Sequence, residues 1–415
     1  VDVLLLHSYF PGHYAHLAPA LAAQGHRVVF ATRDPDARMA GVDVRALSPH
    51  RAVSAATHPY LRAFEDAVLQ GQAAYRLCRT LRAEGFVPDV VCAHAGFGPG
   101  LYVKEAFPEA ALLSYFEWFY RTAGSDCGFL GEEVSPDDAC RIASLNAGIL
   151  IELAACDRGI CPTAFQLSQF PPAFADRISL MHDGIDTDLF APDPSARMVL
   201  PGLDLSGAAE VVTYATRGME PYRGFPQFMR AADRLLRERP GLHVVVGGAD
   251  GVFYGTRRTD GRTWREAMLD ELPGIDRARL HFVGPLATPA WRRLLQATSA
   301  HVYLSVPFVL SWSLIEAMSA GAPIVGSDTA PVREAVGHGT EGLLADFHDP
   351  DAIAAAVARL LDDAALARRL GRGARARALA RYRLSDLLPR HIRLIRLLAE
   401  TRRSGDATSF EILSA

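Results

Sequence analysis

The stretch "HVYLSVPFVLSWSLIEAMSAGAPIVGSD", residues 301–328, decides how the chain folds. Its apolar opening suits a strand buried on both faces. After a loop, Ser311 is placed to cap a helix that reaches Ala320. Gly321 stands where a glycine ends a helix, and Pro323 blocks continuation before "PIVGS" begins the next strand. Strand, helix, strand in that order is a parallel crossover unit. The helix N-terminus then points out of the carboxyl end of the sheet, where open α/β sheets bind ligands and where free N–H groups suit a phosphate.

Working outward, short apolar runs of the same kind occur at 210–216, 242–248, 280–285 and 323–327, alternating with amphipathic helices. A second set fills the first half: Val3–Leu6, Val28–Ala31, then 89–94, 111–116 and 178–184. Between the sets, "HDGIDTDLFAPDP" (182–194) is dense in Asp, Pro and Gly and reads as a linker. The expected architecture is α/β, with two doubly wound parallel-sheet, Rossmann-like domains facing across a cleft. The domains are read as 1–188 and 189–385, and a helical segment, 386–415, is expected to pack back on the first.

Bulk properties narrow the classes. A chain of 415 residues suits two α/β domains. Its 49% apolar and 22% charged residues and net charge of −4 supply no global field for nucleic acid. Lys104 is its single lysine, so cationic work falls to arginine. Six cysteines without metal-ligand spacing point to reduced thiols and a cytoplasmic protein. The first residues read as a strand rather than a leader, and the apolar stretch 142–156 carries Asn146 and Glu152 and is too short to span a bilayer. The arginine-rich end, Arg368–Arg403, reads first as a solvated helix face and second as a peripheral membrane or acidic-partner contact.

Candidate chemistry gathers at strand ends. Arg217 and Arg223 in "RGMEPYRG" (217–224) follow a strand, six residues apart across a turn. Two guanidinium groups there suit a diphosphate clamp, with surface ion pairing an equal reading. Glu316, one turn into the helix after Ser311, has the reach to accept ribose hydroxyls. His94 opens "HAGFGPG"; a lone histidine at a strand end is more often structural. Gly12 in "FPGHY" would let the first loop approach phosphates, or simply make a turn. Glu117 in "SYFEWFYR" is either part of an acceptor wall or an acid paired within an aromatic core. The glycine-rich turn "GGADGVFYG" (247–255) is assigned only to the cleft rim.

These residues carry a resemblance. "RGMEPYRG", "VGP" (283–285), "SLIEAMSAGAPIVGSD" (313–328) and "EGLLADFHDPDAIAAAVARLLDD" (341–363) are together similar to glycosyltransferase family 4, whose members have the GT-B fold. "FPGHYAHLAPAL", "HAGFGPG" and "SYFEWFYR" resemble the N-terminal domain of one branch of that family. The resemblance implies that Arg217 binds the donor diphosphate, that Arg223 stands where lysine is usual, and that Glu316 holds the ribose. It also places Leu286 near the base, Leu310, Ser311 and Trp312 at the donor, and His94 beside the reacting sugar. One departure stands out: the family's other glutamate, which contacts the transferred sugar, is Phe308 here.

The activity so implied is retaining, metal-independent transfer of a sugar from a UDP- or GDP-type donor, without a cofactor. The acceptor is a saccharide, a lipid-linked or a small natural-product hydroxyl, and the departing phosphate itself takes the acceptor proton. The rival readings are a nucleotide-sugar epimerase, a sugar phosphorylase, and a catalytically silent nucleotide-binding partner motivated by Phe308.

Overall fold

A computed structural model of the chain describes residues 1–404. It divides into two compact units. Unit 1 comprises Val1–Gly128, Glu132–Asp183 and the chain from Ser385, and unit 2 comprises Phe129–Gly131 and Gly184–Leu384. The change of unit thus falls at Asp183 and Gly184, at the near end of the Asp/Pro/Gly-rich stretch.

Unit 1 is built on a seven-stranded parallel sheet: β1 (Asp2–Leu6), β2 (Arg27–Thr32), β3 (Asp43–Ala46), β4 (Val90–His94), β5 (Ala111–Tyr115), β6 (Arg158–Cys161) and β7 (Ile178–Leu180). Their spatial order is β3-β2-β1-β4-β5-β6-β7. The central strands β4 and β5 are buried at every residue, which is why they read as mainly apolar runs, with only His94 and Ser114 polar. One face carries Leu4, Leu6, Val91 and Leu112 into a core with Phe86 and Phe107. The other carries Leu5, Phe30 and Cys92 onto Ile392, Ile395 and Leu398 of the last helix, Leu384–Ser404.

In unit 2 a short antiparallel pair, β8 (Val199–Leu200) and β9 (Leu203–Asp204), precedes a six-stranded sheet. Its strands are β10 (Glu210–Gly218), β11 (Leu242–Ala249), β12 (Leu280–Gly284), β13 (Ala300–Tyr303), β14 (Ile324–Ser327) and β15 (Leu343–Ala345). They lie in the order β12-β11-β10-β13-β14-β15, paired in parallel. The helix Trp312–Ser319 links β13 to β14, capped by Ser311, whose hydroxyl accepts from Ser313 N–H. Gly321 follows at φ +72°, as a helix-ending glycine does.

In both sheets the chain reverses its winding direction once, between β1 and β4 and between β10 and β13. These are the switch points outside whose carboxyl ends doubly wound sheets bind ligands.

All six cysteines are free thiols; Cys78, Cys92, Cys156 and Cys161 are buried, Cys127 is partly so and Cys140 is exposed. No helix among the described residues is long and apolar enough to cross a membrane. The arginine-rich end is less simply solvated than its composition suggests. Arg375 donates to the carbonyls of Thr187 and Ser319, Arg402 pairs with Asp157, and Arg403 with Asp89.

The glycine loop after β4 is fixed by a backbone contact. At Gly98, with φ +94°, a Cβ would lie 2.0 Å from the carbonyl oxygen of Ala67 on the long helix Arg62–Ala83. Neither backbone can yield cheaply, so Gly98→Ala should lower unfolding free energy by about 2–3 kcal/mol. Urea denaturation of the two proteins measures it; an unchanged midpoint would show that the loop is not held against the helix.

Candidate active site

In unit 2 the switch point holds the two arginines. Arg217 lies at the end of β10, exposed, with its guanidinium 4.8 Å above the Phe253 ring. Arg223 ends a short 3-10 turn, Pro221–Arg223, and is only 4% exposed. Its Nη1 donates to the Tyr303 hydroxyl at 3.3 Å, Ser305 Oγ at 2.8 Å and the Val309 carbonyl at 3.1 Å. Among the described residues neither arginine has a carboxylate within ion-pair distance, although ion pairs occupy many arginines elsewhere in the chain. Burial opposes the charge of Arg223, but Tyr303, Tyr254 and the nearby Glu220 carboxylate raise its pKa, so it stays a cation without a direct ion pair.

Tyr303 joins this cation to the helix start. Its hydroxyl receives the Arg223 bond and also accepts from Ser311 N–H at 3.0 Å. A cavity of about 290 Å³ opens here, lined by Thr216, Arg217, Gly248, Leu286, Trp291 and Ser313 among others, Ser311 included. Leu286 follows β12 and supplies an apolar wall, as a base-binding position should. A larger cavity of about 840 Å³ lies at the opposite edge of the sheet, against Glu210, Pro323 and Leu379. It faces the amino ends of the strands, away from the cations and the helix start.

Glu316 is partly buried and adjoins the cavity through the lining residue Trp291. The Trp291 indole N–H donates to its Oε2 at 2.7 Å, leaving the other oxygen for a ligand. Burial raises its pKa, opposed by the indole bond. Leu310 is buried and Trp312 exposed, neither lining the cavity; Phe308 packs against Tyr222 and Tyr254. The sequence reading misses Trp291 and Ser313. Ser313, two residues after the cap, was within reach of it; Trp291 stands on a different helix with no local signal.

In unit 1 the switch point holds a cluster of imidazoles. His7 follows β1, His13 lies in the loop after it, and His94 ends β4. Their ring centroids are 4.6 to 5.4 Å apart. Gly12 is explained by this packing, since a Cβ there would lie 2.6 Å from His7 Nε2. His94 is 2% exposed; its Nδ1 faces the Ala95 carbonyl at 3.1 Å, and Nε2 lies 3.7 Å from Glu117 Oε2 without a hydrogen-bond partner. Desolvation, with the neighbouring imidazoles, keeps His94 well below its usual pKa and pushes His7 down to about 3. Glu117 is raised by burial, but His13 at 3.6 Å outweighs this and holds the carboxylate below its usual range. Phe116 and Phe119 beside it are core residues rather than an acceptor wall. The two flanking histidines are visible in "HSYFPGHY", where their spacing alone assigns them nothing.

His7, His13 and His94 also form a group with spacing that could hold a metal ion. Tautomers argue against it. Tyr9 N–H donates to His7 Nδ1 at 2.9 Å, so neutral His7 carries its proton on Nε2, directed at His13 Nδ1 3.1 Å away. A ligating Nε2 would have to give up that proton.

Two doubly wound parallel-sheet units define a Rossmann-like α/β architecture, and comparison with known proteins agrees. Residues 24–190 match the model of the glycosyl transferase family 4 group and residues 207–377 that of glycosyl transferases group 1. The D-inositol 3-phosphate glycosyltransferase of Acidothermus cellulolyticus is 32% identical over 55% of this chain and 50% of that protein. The glycogen synthase of Mycobacterium tuberculosis is 28% identical over 88% of this chain and 85% of that one. The chain spans about half the length of several curated relatives it matches. Among solved structures, sucrose-phosphate synthase from Thermosynechococcus elongatus superposes with TM-score 0.72 at 20% identity, covering 96% of this chain and 98% of that one. Anabaena HepE, in complex with UDP and glucose, gives 0.67 at 16% over 95% and 99%. The fold is GT-B. The chain belongs to glycosyltransferase family 4.

One buried acid behind the site makes a measurable prediction. Glu152 is fully buried beneath the glycine loop and accepts from Gly96 N–H, and burial pushes its pKa up to about 8. The unfolded chain releases this proton near the ordinary glutamate value of 4.5, the folded chain near 8. Across that window the folded state binds more protons, so this group makes unfolding free energy fall as pH rises. Glu152→Gln should flatten the fall between pH 5 and pH 8 in urea titrations. Parallel pH profiles for the two proteins would contradict the assignment.

Proposed function

We propose that this chain is a retaining glycosyltransferase that moves a sugar from a UDP- or GDP-type donor to a hydroxyl acceptor. The observation that carries it is a pair of guanidiniums without direct ion pairs, Arg217 and Arg223, beside a capped helix start at one switch point. A leaving nucleoside diphosphate supplies negative charge to this pair, and fixed cations stabilise it as the bond to the sugar breaks. Leu286 and Trp291 give the cavity an apolar side for the base, and the remaining oxygen of Glu316 serves the ribose.

Retention at the anomeric carbon follows the family resemblance, with the departing phosphate taking the acceptor proton. Unit 1 receives the acceptor near His94 and Glu117, where a neutral imidazole and an ionised carboxylate offer hydrogen-bond acceptors to hydroxyls. A saccharide, a lipid-linked sugar or a small natural product fits that description. Inositol phosphate and glycogen acceptors, named for two relatives, are members of the same polyhydroxyl class. Free thiols agree with a cytoplasmic setting.

Incubation with a panel of UDP-, GDP-, ADP- and dTDP-sugars tests the reading through release of nucleoside diphosphate. Release from one donor class, dependent on an added hydroxyl compound, is expected; release from none would count against a transferase. Arg217→Ala should lower turnover by about two orders of magnitude. Because arginines and a helix start supply the positive charge, chelation with EDTA should leave the rate unchanged, and a rate abolished by EDTA and restored by magnesium would overturn the metal-independent mechanism.

A further inference from the structure

Beside the two arginines the surface of unit 2 is aromatic. Phe253 is 46% exposed and Tyr254 38%, large values for such side chains. They are held there by a dedicated anchor. Glu220, fully buried in the turn between the two arginines, accepts at Oε1 from Phe253 N–H (3.1 Å) and at Oε2 from Tyr254 N–H (3.0 Å) and Gly255 N–H (2.7 Å). A buried carboxylate spent on three successive backbone donors fixes the loop and its rings.

The rings sit on the cations. Arg217 lies over Phe253 at 4.8 Å and Arg223 over Tyr254 at 5.0 Å. Phe308 continues the patch, its ring 5.5 Å from Tyr254 and 5.6 Å from Tyr222. The nearby carboxylates are committed: Glu220 to the loop at both oxygens, and Glu316 to Trp291 at one. Phe253 and Tyr254 cover the two arginines that the proposed diphosphate meets, so that reading puts the sugar joined to the diphosphate next to this aromatic patch. Ring faces pack on C–H surfaces and leave hydroxyl groups without acceptors.

We propose that Phe253, Tyr254 and Phe308, anchored by Glu220, form a donor-sugar subsite selective for sugars poor in hydroxyls, the deoxy sugars. The inference rests on the nucleotide-sugar reading above. Omitting a hydroxyl that would meet a ring face is expected to favour binding about tenfold to a hundredfold.

The test uses the full chain and calorimetric binding, which needs no turnover. Pairs of donors sharing a base are compared: UDP-glucose with UDP-6-deoxyglucose, dTDP-glucose with dTDP-6-deoxyglucose, and GDP-mannose with GDP-rhamnose. Free UDP, dTDP and GDP are the controls. For the base that binds, the deoxy donor should bind at least tenfold more tightly than its partner. Phe308→Glu should reverse the order, and Tyr254→Leu should shrink the ratio while free nucleoside diphosphate still binds. Binding of the free diphosphate with equal or inverse donor preference overturns the subsite and leaves the nucleotide reading standing. Failure of every free diphosphate to bind overturns both.

Discussion

One electrostatic constraint governs the site, a guanidinium taken out of water with no carboxylate in direct ion-pair contact. Arg223 is buried, and its bonds run to a tyrosine hydroxyl, a serine hydroxyl and a backbone carbonyl. Desolvating a cation is costly unless a counter-charge or a full set of hydrogen bonds offsets it. These bonds and the nearby Glu220 carboxylate keep the group a cation without a direct ion pair. Arg217 is exposed and stacked on Phe253, and it too has no acid in ion-pair contact. In a chain with 47 acidic residues such a pairing was easy to supply, so its absence at both arginines is a property of the site.

The surrounding structure follows from keeping that charge both fixed and reachable. Tyr303 ties Arg223 to the N–H of Ser311, so the cation and the helix start move as one body. Trp291 orients Glu316 through its indole, and Glu220 anchors the loop whose rings flank both cations. Unit 1 presents the opposite electrostatics. Its switch point gathers three imidazoles, two of them held neutral by burial, against an ionised carboxylate. One unit presents positive charge at its switch point and the other presents lone pairs.

Much of this is legible in the sequence, and the limits have physical causes. The central strands announce themselves because both faces are buried and most positions are apolar. β3 does not, since its ends are exposed and it carries Asp43 and Arg45, and neither does β6, where Arg158 interrupts the run. The cap at Ser311 is local chemistry and is readable. So are Arg217 and Leu286, which the fold brings to one cavity. The roles of Trp291, His7, His13 and Glu220 depend on partners distant in the chain or on burial, and no spacing rule reveals them. Gly12, read either as a phosphate approach or as an ordinary turn, is in addition required by the His7 ring, a contact that no local pattern reveals. The arginine-rich tail likewise turns out to hold several structural staples, Arg375 and Arg402 among them.

The most direct measurement is a crystal structure of the protein soaked with the nucleoside diphosphate that it binds. The phosphates should lie within hydrogen-bond reach of Arg217, Arg223 and the backbone N–H groups following Ser311, with the base against Leu286. A diphosphate bound away from both guanidiniums would contradict the account at its root.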